Sequence, residues 1–344
     1  MDALAILKEV SRKDGVNGRI VEAVSDAAAL LGEDSSSLDE MLIQACGDAP
    51  AGINEPCRSL FEAGGKRIRP MLCLLAFRAT GGLEPLPLDL AISCELLHNA
   101  TLLHDDVVDE GEFRRGRPAA RVVYGNAVSV LGGDYLLVRT IEKVSKCGSK
   151  HMDFLVRTLR QLISGELAQL KRRGSIGTTE EEYYSIIQGK TASLFRWAAN
   201  AGALAAGADD KLCQSFGQFG WHTGIAFQLV DDVLDFTADA SELGKSLLTD
   251  ISEGKMTLPV ILAGRKSLEL KTLLEQLLEG VDPAVVAPQV ASLVKSTGAV
   301  AEARERAGNH TAKAIEALHS TSGLDSQAVG VLEKLSLALL ERES

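Results

Sequence analysis

The sequence predicts an all-α fold, a single-domain helical bundle with its active-site cavity in the core between facing helices. Apolar residues recur at helical spacing along almost the whole chain, and we find no convincing series of strands with two-residue alternation. Leu and Ala dominate the composition, and aromatic residues make up only 4% of it, which favours helix. We therefore expect one domain over residues 1–344, in which residues 1–15 form a flexible N-terminal segment.

Helical periodicity and boundary residues place the expected helices along the chain. Helices are expected at residues 19–32, 38–46, 71–80, 88–109, 126–147, 150–172 and 211–237, with further amphipathic helix from 257 to 342. Gly32 ends the first of these helices, and Pro70 suits the first turn of the third. Thr179 and Glu182 have the spacing of a capping box and predict the start of another helix.

Charge, cysteine pattern and hydropathy exclude several classes of protein. A net charge of −11 argues against nucleic acid as a partner, although cations and local arginines can still hold an anionic substrate in one cleft. The six cysteines form no CxxC pair, which is typical of small buried side chains in a reducing cytosol, so we expect a cytoplasmic protein. The first residues lack the pattern of a signal peptide, and no run of 18 apolar residues predicts a transmembrane helix.

The segment HDDVVDEGEFRRGRP, residues 104–118, packs carboxylates, glycines and three arginines into one short stretch. In a helix, Asp105 and Asp109 share one face, while Asp106 lies about 100° round the axis. Such carboxylates repel one another unless a hard cation such as Mg²⁺ lies between them, and the arginines that follow suit phosphate oxygens. The segment indicates a metal–diphosphate site, but on its own a solvated acidic helix end followed by a basic loop is equally consistent.

The same carboxylate spacing recurs at Asp231, Asp232 and Asp235, directly after the apolar run 225–230. A solvated helix face would not place paired aspartates directly after such a run. Two facing helices with three carboxylates each would form one deep pocket for cations. The recurrence therefore favours the metal site over the solvated helix end.

Other polar positions are ambiguous on the residues alone. The segment GGKRIRP places Lys66, Arg67 and Arg69 at the start of a helix, and it suits either a basic loop or a grip for a diphosphate. An isolated His98 is more often a core or surface histidine. An isolated Lys190 is more often an ordinary surface lysine.

The two aspartate motifs resemble the first and second aspartate-rich motifs of the trans-isoprenyl diphosphate synthases. The flanking sequence is most similar to the long-chain polyprenyl diphosphate synthases, octaprenyl diphosphate synthase in particular, from about residue 15 to the end. The resemblance implies a Mg²⁺-dependent prenyltransferase that adds isopentenyl diphosphate to an allylic primer such as farnesyl diphosphate. The implied steps are loss of pyrophosphate, attack on the resulting cation, and elimination of a proton to the departing pyrophosphate.

The resemblance also implies a role for each site residue. The implied catalytic residues are Asp105, Asp106, Asp109, Asp231, Asp232, Asp235, Lys190 and Lys255. The implied metal ligands are Asp105, Asp109 and Asp231, which would hold two or three Mg²⁺ ions together with the substrate diphosphate. The implied contacts of isopentenyl diphosphate are Lys66, Arg67, Arg69, His98 and Arg115. The implied contacts of the allylic diphosphate are Arg114, Lys190, Thr191, Gln228, Lys245 and Lys255.

Product length is predicted from the positions four and five residues before Asp105. Short-chain members of the family carry bulky residues there that act as a floor, whereas this chain has Ala100 and Thr101. One helical turn is about 5.4 Å, close to one extended isoprene unit, so each open turn admits roughly one more unit and we expect about forty carbons. A geranylgeranyl- or farnesyl-length product is the alternative. An aromatic residue in place of Ala100 is expected to rebuild the floor and shorten the product.

The family is usually homodimeric, so the resemblance implies a homodimer, with transient contact to a membrane for product release. Other classes of protein fit less well. A class I terpene cyclase usually carries a different second metal motif, and a membrane-embedded prenyltransferase needs transmembrane helices. A non-catalytic subunit of a heteromeric synthase tends to lose aspartates or basic motifs, all of which this chain retains.

Overall fold

The computed structural model describes residues 18–32, 38–237 and 249–342, and these are almost entirely α-helical. The first half contains α1 (Gly18–Leu31), α2 (Leu38–Ala45), α3 (Asn54–Glu62), α4 (Ile68–Ala79), α5 (Leu88–Val108), α6 (Ala120–Tyr124), α7 (Asn126–Ser145) and α8 (Ser149–Arg172). The second half contains α9 (Glu180–Ile187), a π-helical turn (Gln188–Ala192), α10 (Ser193–Ala205), α11 (Asp210–Thr237), α12 (Thr249–Ser252), α13 (Leu258–Lys266), α14 (Leu268–Leu278), α15 (Pro283–Ser296), α16 (Ala299–His319) and α17 (Ser326–Leu340). Two short strands, β1 (Phe113–Arg114) and β2 (Arg117–Pro118), form an antiparallel ribbon between α5 and α6. None of the described helices combines the length and hydropathy that a membrane span needs.

The all-α prediction is confirmed, and the longest predicted helices end close to the observed ones. The capping box is also confirmed, because the Thr179 hydroxyl accepts from the backbone N–H of Glu182 and the Glu182 side chain accepts from the backbone N–H of Thr179. The structure adds α3, the β-ribbon and the π-helical turn, which periodicity did not indicate. Residues 1–15 and Lys245 lie outside the described residues, so the predictions for them stay predictions.

Among the described residues, the interior consists of two hydrophobic clusters. The larger one includes Phe195 and Trp197, which are almost inaccessible to solvent. The smaller one joins α11 to the helices that follow it and includes the fully buried Leu229. Burying each such side chain contributes about 1.5–3 kcal/mol. One cavity lies between the two clusters, because its apolar wall takes Leu194 from the larger cluster and Ile187 from the smaller.

Glycines on α11 allow α10 and α11 to pack with their backbones in contact. A Cβ at Gly220 would collide with the carbonyl oxygen of Phe195, and one at Gly224 would lie 2.7 Å from the Cα of Ala192. A larger side chain at either position would push the helices apart. The close packing therefore fixes the start of α10 against α11, about two to three turns before the second aspartate motif.

Candidate active site

Both aspartate motifs line the same cavity, whose volume is about 440 Å³. α5 contributes Asp105 and, as the residue that follows its last turn, Asp109, and α11 contributes Asp231 and Asp232. Further walls come from α4, β1, α8, α9, the π-helical turn, the start of α10 and the segment before α13. The structure thus brings together two motifs that are far apart in the chain.

Two lysines neutralise the first motif. Lys190 Nζ lies 3.4 Å from Asp105 Oδ2 and 2.6 Å from Glu166 Oε2. Lys255 Nζ lies 2.7 Å from Asp109 Oδ2. Burial raises the pKa of Asp105, and nearby carboxylates add to this effect while Lys190 opposes it. Burial would lower the pKa of Lys255, but hydrogen bonds to carboxylates raise it above its ordinary value, so the ammonium stays charged.

Asp106 and Asp235 do not line the cavity. Asp106 is fully buried, and its Oδ1 accepts a hydrogen bond from Arg114 Nε at 2.9 Å. Arg114 lies on β1 and does line the cavity, so this ion pair fixes the ribbon against the end of α5. Asp106 therefore acts on the site through Arg114.

Asp231 is bound by an arginine from the end of the described chain. Arg342 Nη2 lies 2.8 Å from Asp231 Oδ1 and donates to the carbonyl oxygen of Phe227 at 3.0 Å. The guanidinium also lies 4.2 Å from the centre of the Phe227 ring. The Arg342 side chain is 7% exposed, whereas that of Asp231 is 55% exposed and remains accessible.

Asp232 is buried in a network of neutral side chains. Tyr183 donates its hydroxyl hydrogen to Asp232 Oδ2, and Gln228 Nε2 donates to Oδ1 at 2.9 Å. Thr191 Oγ1 in turn donates to Gln228 Oε1 at 2.8 Å. Burial above all, together with neighbouring carboxylates, raises the pKa of Asp232 to about 7 against the effect of these hydrogen bonds. The network links the π-helical turn to the second motif.

Arg69 and His98 line the cavity, as the prediction of a diphosphate grip requires. The Arg69 guanidinium lies 4.7 Å from the centre of the Phe195 ring, and burial lowers its pKa to about 10, so it stays charged at neutral pH. Burial, with the nearby charge of Arg69, holds the pKa of His98 well below its usual range. A charged guanidinium and a neutral imidazole therefore lie together on this wall.

Lys66, Arg67 and Arg115 do not line the cavity, although the sequence assigned them to the same grip. Arg67 lies 2.8 Å from Asp39 and 2.9 Å from Glu95, and it also donates to a carbonyl oxygen at the end of α3. Arg115 donates to the carbonyl oxygen of Leu60 in the last turn of α3 and to that of Gly64 just beyond it. The last carbonyls of a helix need such donors and attract cations. In this structure both guanidiniums therefore bind carboxylates or carbonyl oxygens of the protein, away from the cavity in which a diphosphate would lie.

The two predicted chain-length positions differ in their surroundings. Thr101 lines the cavity, whereas Ala100 is 2% exposed and packs in the larger hydrophobic cluster. Apolar side chains continue the cavity wall beside Thr101, namely Leu102, Leu162, Ile163, Ile187, Leu194 and Phe227. Such a wall suits a hydrocarbon chain. Only Thr101 of the two positions lies beside this path.

The π-helical turn Gln188–Ala192 presents Lys190 and Thr191 to the cavity. It crosses α8 at glycines: a Cβ at Gly165 would lie 2.6 Å from the backbone nitrogen of Lys190, and one at Gly189 would lie 2.7 Å from the Cα of Gly165. π-Helical turns are rare and often lie at functional sites. The sequence predicted the two polar residues but not the turn.

Several side chains that contact or flank the motifs were missed from the sequence: Glu166, Arg173, Tyr183, Asp250, Glu253 and Arg342. Burial, with the charges of Asp232 and Asp235, raises the pKa of Asp250 well above its usual range. The polar residues around Asp250 were a usable signal, because they follow the second motif closely in the sequence. Arg342 is 111 residues from Asp231, and no spacing pattern connects them.

Comparisons with known proteins identify the family. A polyprenyl synthetase family model matches residues 50–297. The chain belongs to the polyprenyl synthetase family. It is 35% identical to octaprenyl diphosphate synthase of Escherichia coli over 295 residues, which cover 84% of this chain and 90% of that protein. It is 39% identical to a geranylgeranyl diphosphate synthase of Methanosarcina mazei over 227 residues, which cover 64% and 70% of the two chains.

Solved structures agree with this assignment. A polyprenyl synthase of Caulobacter crescentus, complexed with calcium and isoprenyl diphosphate, has a TM-score of 0.87 at 33% identity and covers 93% of this chain and 98% of its own. The resemblance stated from the aspartate motifs is therefore confirmed, and this polyprenyl synthetase is a prenyltransferase. Its relatives include both octaprenyl and geranylgeranyl synthases.

Proposed function

We propose that the protein is a Mg²⁺-dependent trans-polyprenyl diphosphate synthase that adds isopentenyl diphosphate units to an allylic primer such as farnesyl diphosphate. The observation that carries this proposal is one cavity lined by both aspartate motifs and, beside them, by an apolar wall. The carboxylates suit a metal-bound diphosphate, and the apolar wall suits a growing hydrocarbon. The E. coli relative that is named octaprenyl diphosphate synthase supports this reaction class.

The donor set fits a hard divalent cation that binds together with a diphosphate. Asp109 Oδ1 is buried and has no hydrogen-bond partner among the described residues, so it is available to a further ligand. Within the described part of the chain, no three His, Cys, Asp or Glu side chains form a complete metal site. Mg²⁺ needs no such site, because it takes one or two carboxylates and fills its other positions with water and phosphate oxygens. Asp105, Asp109 and Asp231 would hold two or three such ions, whose charge stabilises the leaving pyrophosphate.

Cationic side chains orient the allylic diphosphate beside these carboxylates. Arg114, Lys190 and Lys255 all line the cavity, and each is held by a carboxylate of the first motif. Hydrogen bonds from charged donors to diphosphate oxygens are roughly twice as strong as neutral ones. Because the donors are already in place, they stabilise the charge that develops on pyrophosphate as the C–O bond breaks.

Condensation follows on the apolar side of the cavity. Isopentenyl diphosphate, held by Arg69 and His98, attacks the allylic cation through its double bond, and the departing pyrophosphate accepts the proton that is then lost. A neutral His98 donates a hydrogen bond to the diphosphate without adding a charge. The apolar wall excludes water, which would otherwise quench the cation.

We infer a long product, about forty carbons, by the same count of one isoprene unit per helical turn. Thr101 is a small residue on the cavity wall, and the side chains beside it are mostly aliphatic. The octaprenyl relative supports this length. The geranylgeranyl relative, with the higher identity over a shorter match, favours a twenty-carbon product as the second candidate.

We also infer a homodimer formed through an apolar stripe on α7 and α8. The exposed apolar residues of this stripe are Leu131 and Val138 on α7 and Val156, Ile163, Leu167 and Leu170 on α8. Their spacing places those of each helix on one face, and large exposed apolar patches mark interaction surfaces. Sedimentation velocity tests this inference: Leu131→Asp with Leu167→Asp should yield monomers, and wild-type protein that sediments as a monomer would contradict it.

The deciding experiment is incubation of the purified protein with radiolabelled isopentenyl diphosphate and farnesyl diphosphate, with Mg²⁺ or with excess chelator. We expect incorporation only with Mg²⁺, and chromatography of the dephosphorylated products then gives the chain length. No incorporation with any allylic primer would overturn the proposal. Each isoprene unit adds about one helical turn of length to the product. Products that stop at about twenty carbons would therefore favour the second candidate, the geranylgeranyl-length product.

A further inference from the structure

A buried carboxylate, Glu95, lies among the cations of the diphosphate grip, although it does not line the cavity. Its residue is 2% exposed. Burial alone would raise the pKa of Glu95, but the charges around it, that of Arg67 above all, lower the pKa to about 2. Glu95 is therefore ionised at neutral pH despite its burial.

Glu95 is fixed by its own helix and binds the neighbouring one. Its Oε1 accepts from Arg67 Nη1 at 2.9 Å and from Asn99 Nδ2 at 3.2 Å. Asn99 Nδ2 also donates to the backbone carbonyl of Glu95 at 2.8 Å, which ties both side chains to α5. Arg67 is the residue that precedes α4, so this ion pair joins the start of α4 to α5.

Strained backbone lies beside this ion pair. Arg67 and Arg115 have φ values of 47° and 52°, in the left-handed region that non-glycine residues rarely adopt. Both guanidiniums approach Gly65, where a Cβ would lie 2.9 Å from Arg67 Nη1 and 3.3 Å from either terminal nitrogen of Arg115. Two like charges and two strained residues persist together only where their surroundings hold them. Glu95 is a buried anion in contact with this group.

We propose that Glu95 is a positioning residue for isopentenyl diphosphate: through Arg67 it holds the start of α4, and so sets Arg69, two residues further on, toward the diphosphate. The inference rests on the proposed function, which makes Arg69 a diphosphate contact. If Glu95 acted only through its charge, removing that charge would have the opposite effect on isopentenyl diphosphate binding from the one that a positioning role predicts. Removing a negative charge near an anion site should strengthen anion binding, whereas releasing the start of α4 should weaken it.

Glu95→Gln tests this inference, because it keeps the shape of the side chain and removes its charge. Isothermal titration calorimetry with isopentenyl diphosphate alone measures binding without reaction. We expect its Kd to rise at least about tenfold, because a buried guanidinium loses a charged partner. The Kd of farnesyl thiolodiphosphate with Mg²⁺, an unreactive allylic probe, should change much less. Leu270→Ala on α14 is the matched control, since it opens a cavity in the smaller hydrophobic cluster, to which α4 and α5 contribute no residue, and it should alter neither Kd.

An unchanged or lower Kd for isopentenyl diphosphate in Glu95→Gln would overturn the positioning role. Failure of the wild-type protein to bind isopentenyl diphosphate would instead overturn the proposed function. If Glu95→Gln does not fold, the double variant with Arg67→Gln removes both charges of the buried ion pair, and the carboxylate that then loses its arginine, Asp39, is partly exposed to solvent. That double variant should also bind isopentenyl diphosphate at least about tenfold more weakly, and wild-type affinity there would equally overturn the inference.

Discussion

The glycine crossing between α8 and the π-helical turn determines where Lys190 and Thr191 lie. In Gly165→Ala, the new Cβ would lie 2.6 Å from the backbone nitrogen of Lys190 and 2.9 Å from the Cα of Gly189. Backbone atoms cannot rotate away as a flexible side chain can. Restoring an ordinary contact of about 3.4 Å therefore requires the two segments to separate by roughly 0.8 Å.

That separation moves Lys190 away from its carboxylate partners and disturbs the hydrogen bond from Thr191 to Gln228. A misplacement of about 1 Å can cost about 10²-fold in rate, and overpacking costs about 1–3 kcal/mol of folding free energy. We expect Gly165→Ala to fold cooperatively, to melt at a lower temperature, and to turn over about a hundredfold more slowly than wild type.

Steady-state incorporation of labelled isopentenyl diphosphate measures kcat, and calorimetric melting measures the folded fraction of the same samples. Gly330→Ala on α17 is the matched control, because no atom lies within 4 Å of its new Cβ and the residue is exposed on a helix. The control should keep wild-type kcat and gain a little stability from helix propensity. Wild-type kcat in Gly165→Ala would refute the link between the crossing and catalysis, as would a loss of activity no larger than the loss of folded protein.

Other parts of the cavity should respond to substitution in ways that separate their roles. Asp105→Ala should lower kcat by about 10²–10³-fold with an unchanged circular dichroism spectrum. Excess chelator should abolish wild-type activity until Mg²⁺ is restored, and full activity in chelator would contradict the metal assignment. Arg342→Ala should raise the KM of the allylic diphosphate about tenfold and that of isopentenyl diphosphate less, because Arg342 binds Asp231 of the second motif. Equal changes in both KM values would argue against a role of Arg342 at the allylic site. Thr101→Tyr should shorten the product seen by chromatography, whereas Ala100→Tyr should mainly lower the melting temperature because Ala100 lies in the core. If Ala100→Tyr alone shortens the product, the floor lies at Ala100, as expected from the sequence.

The sequence predicted the features whose signals are local. The long helices follow from apolar spacing, and the capping box at Thr179 follows from two residues three apart. Both aspartate motifs were found because a repeated i, i+1, i+4 pattern of carboxylates is unusual in an apolar context. The likeness of these motifs to one family then indicated the reaction class.

Features that depend on distant contacts could not be predicted. The segment around Gly189 carries no local signal for a π-helical turn, because the turn depends on close backbone contact with Gly165 on another helix. Three cations in GGKRIRP look equivalent in sequence, yet Arg69 lines the cavity while Arg67 is bound by carboxylates and a helix end. Likewise, a helical pattern places Ala100 and Thr101 side by side without saying which of them faces the cavity.

The lysine–carboxylate pairs of the first motif have a consequence for the order in which ligands bind. Lys190 and Lys255 are the partners of Asp105 and Asp109 in this structure. A divalent cation that takes these carboxylates displaces the ammonium groups, and a buried charge left without a partner is costly. Diphosphate oxygens give the two lysines new partners, so cation and diphosphate should lower each other's dissociation constants by the same factor. The cavity is then selective for the complex of metal and diphosphate over either component alone.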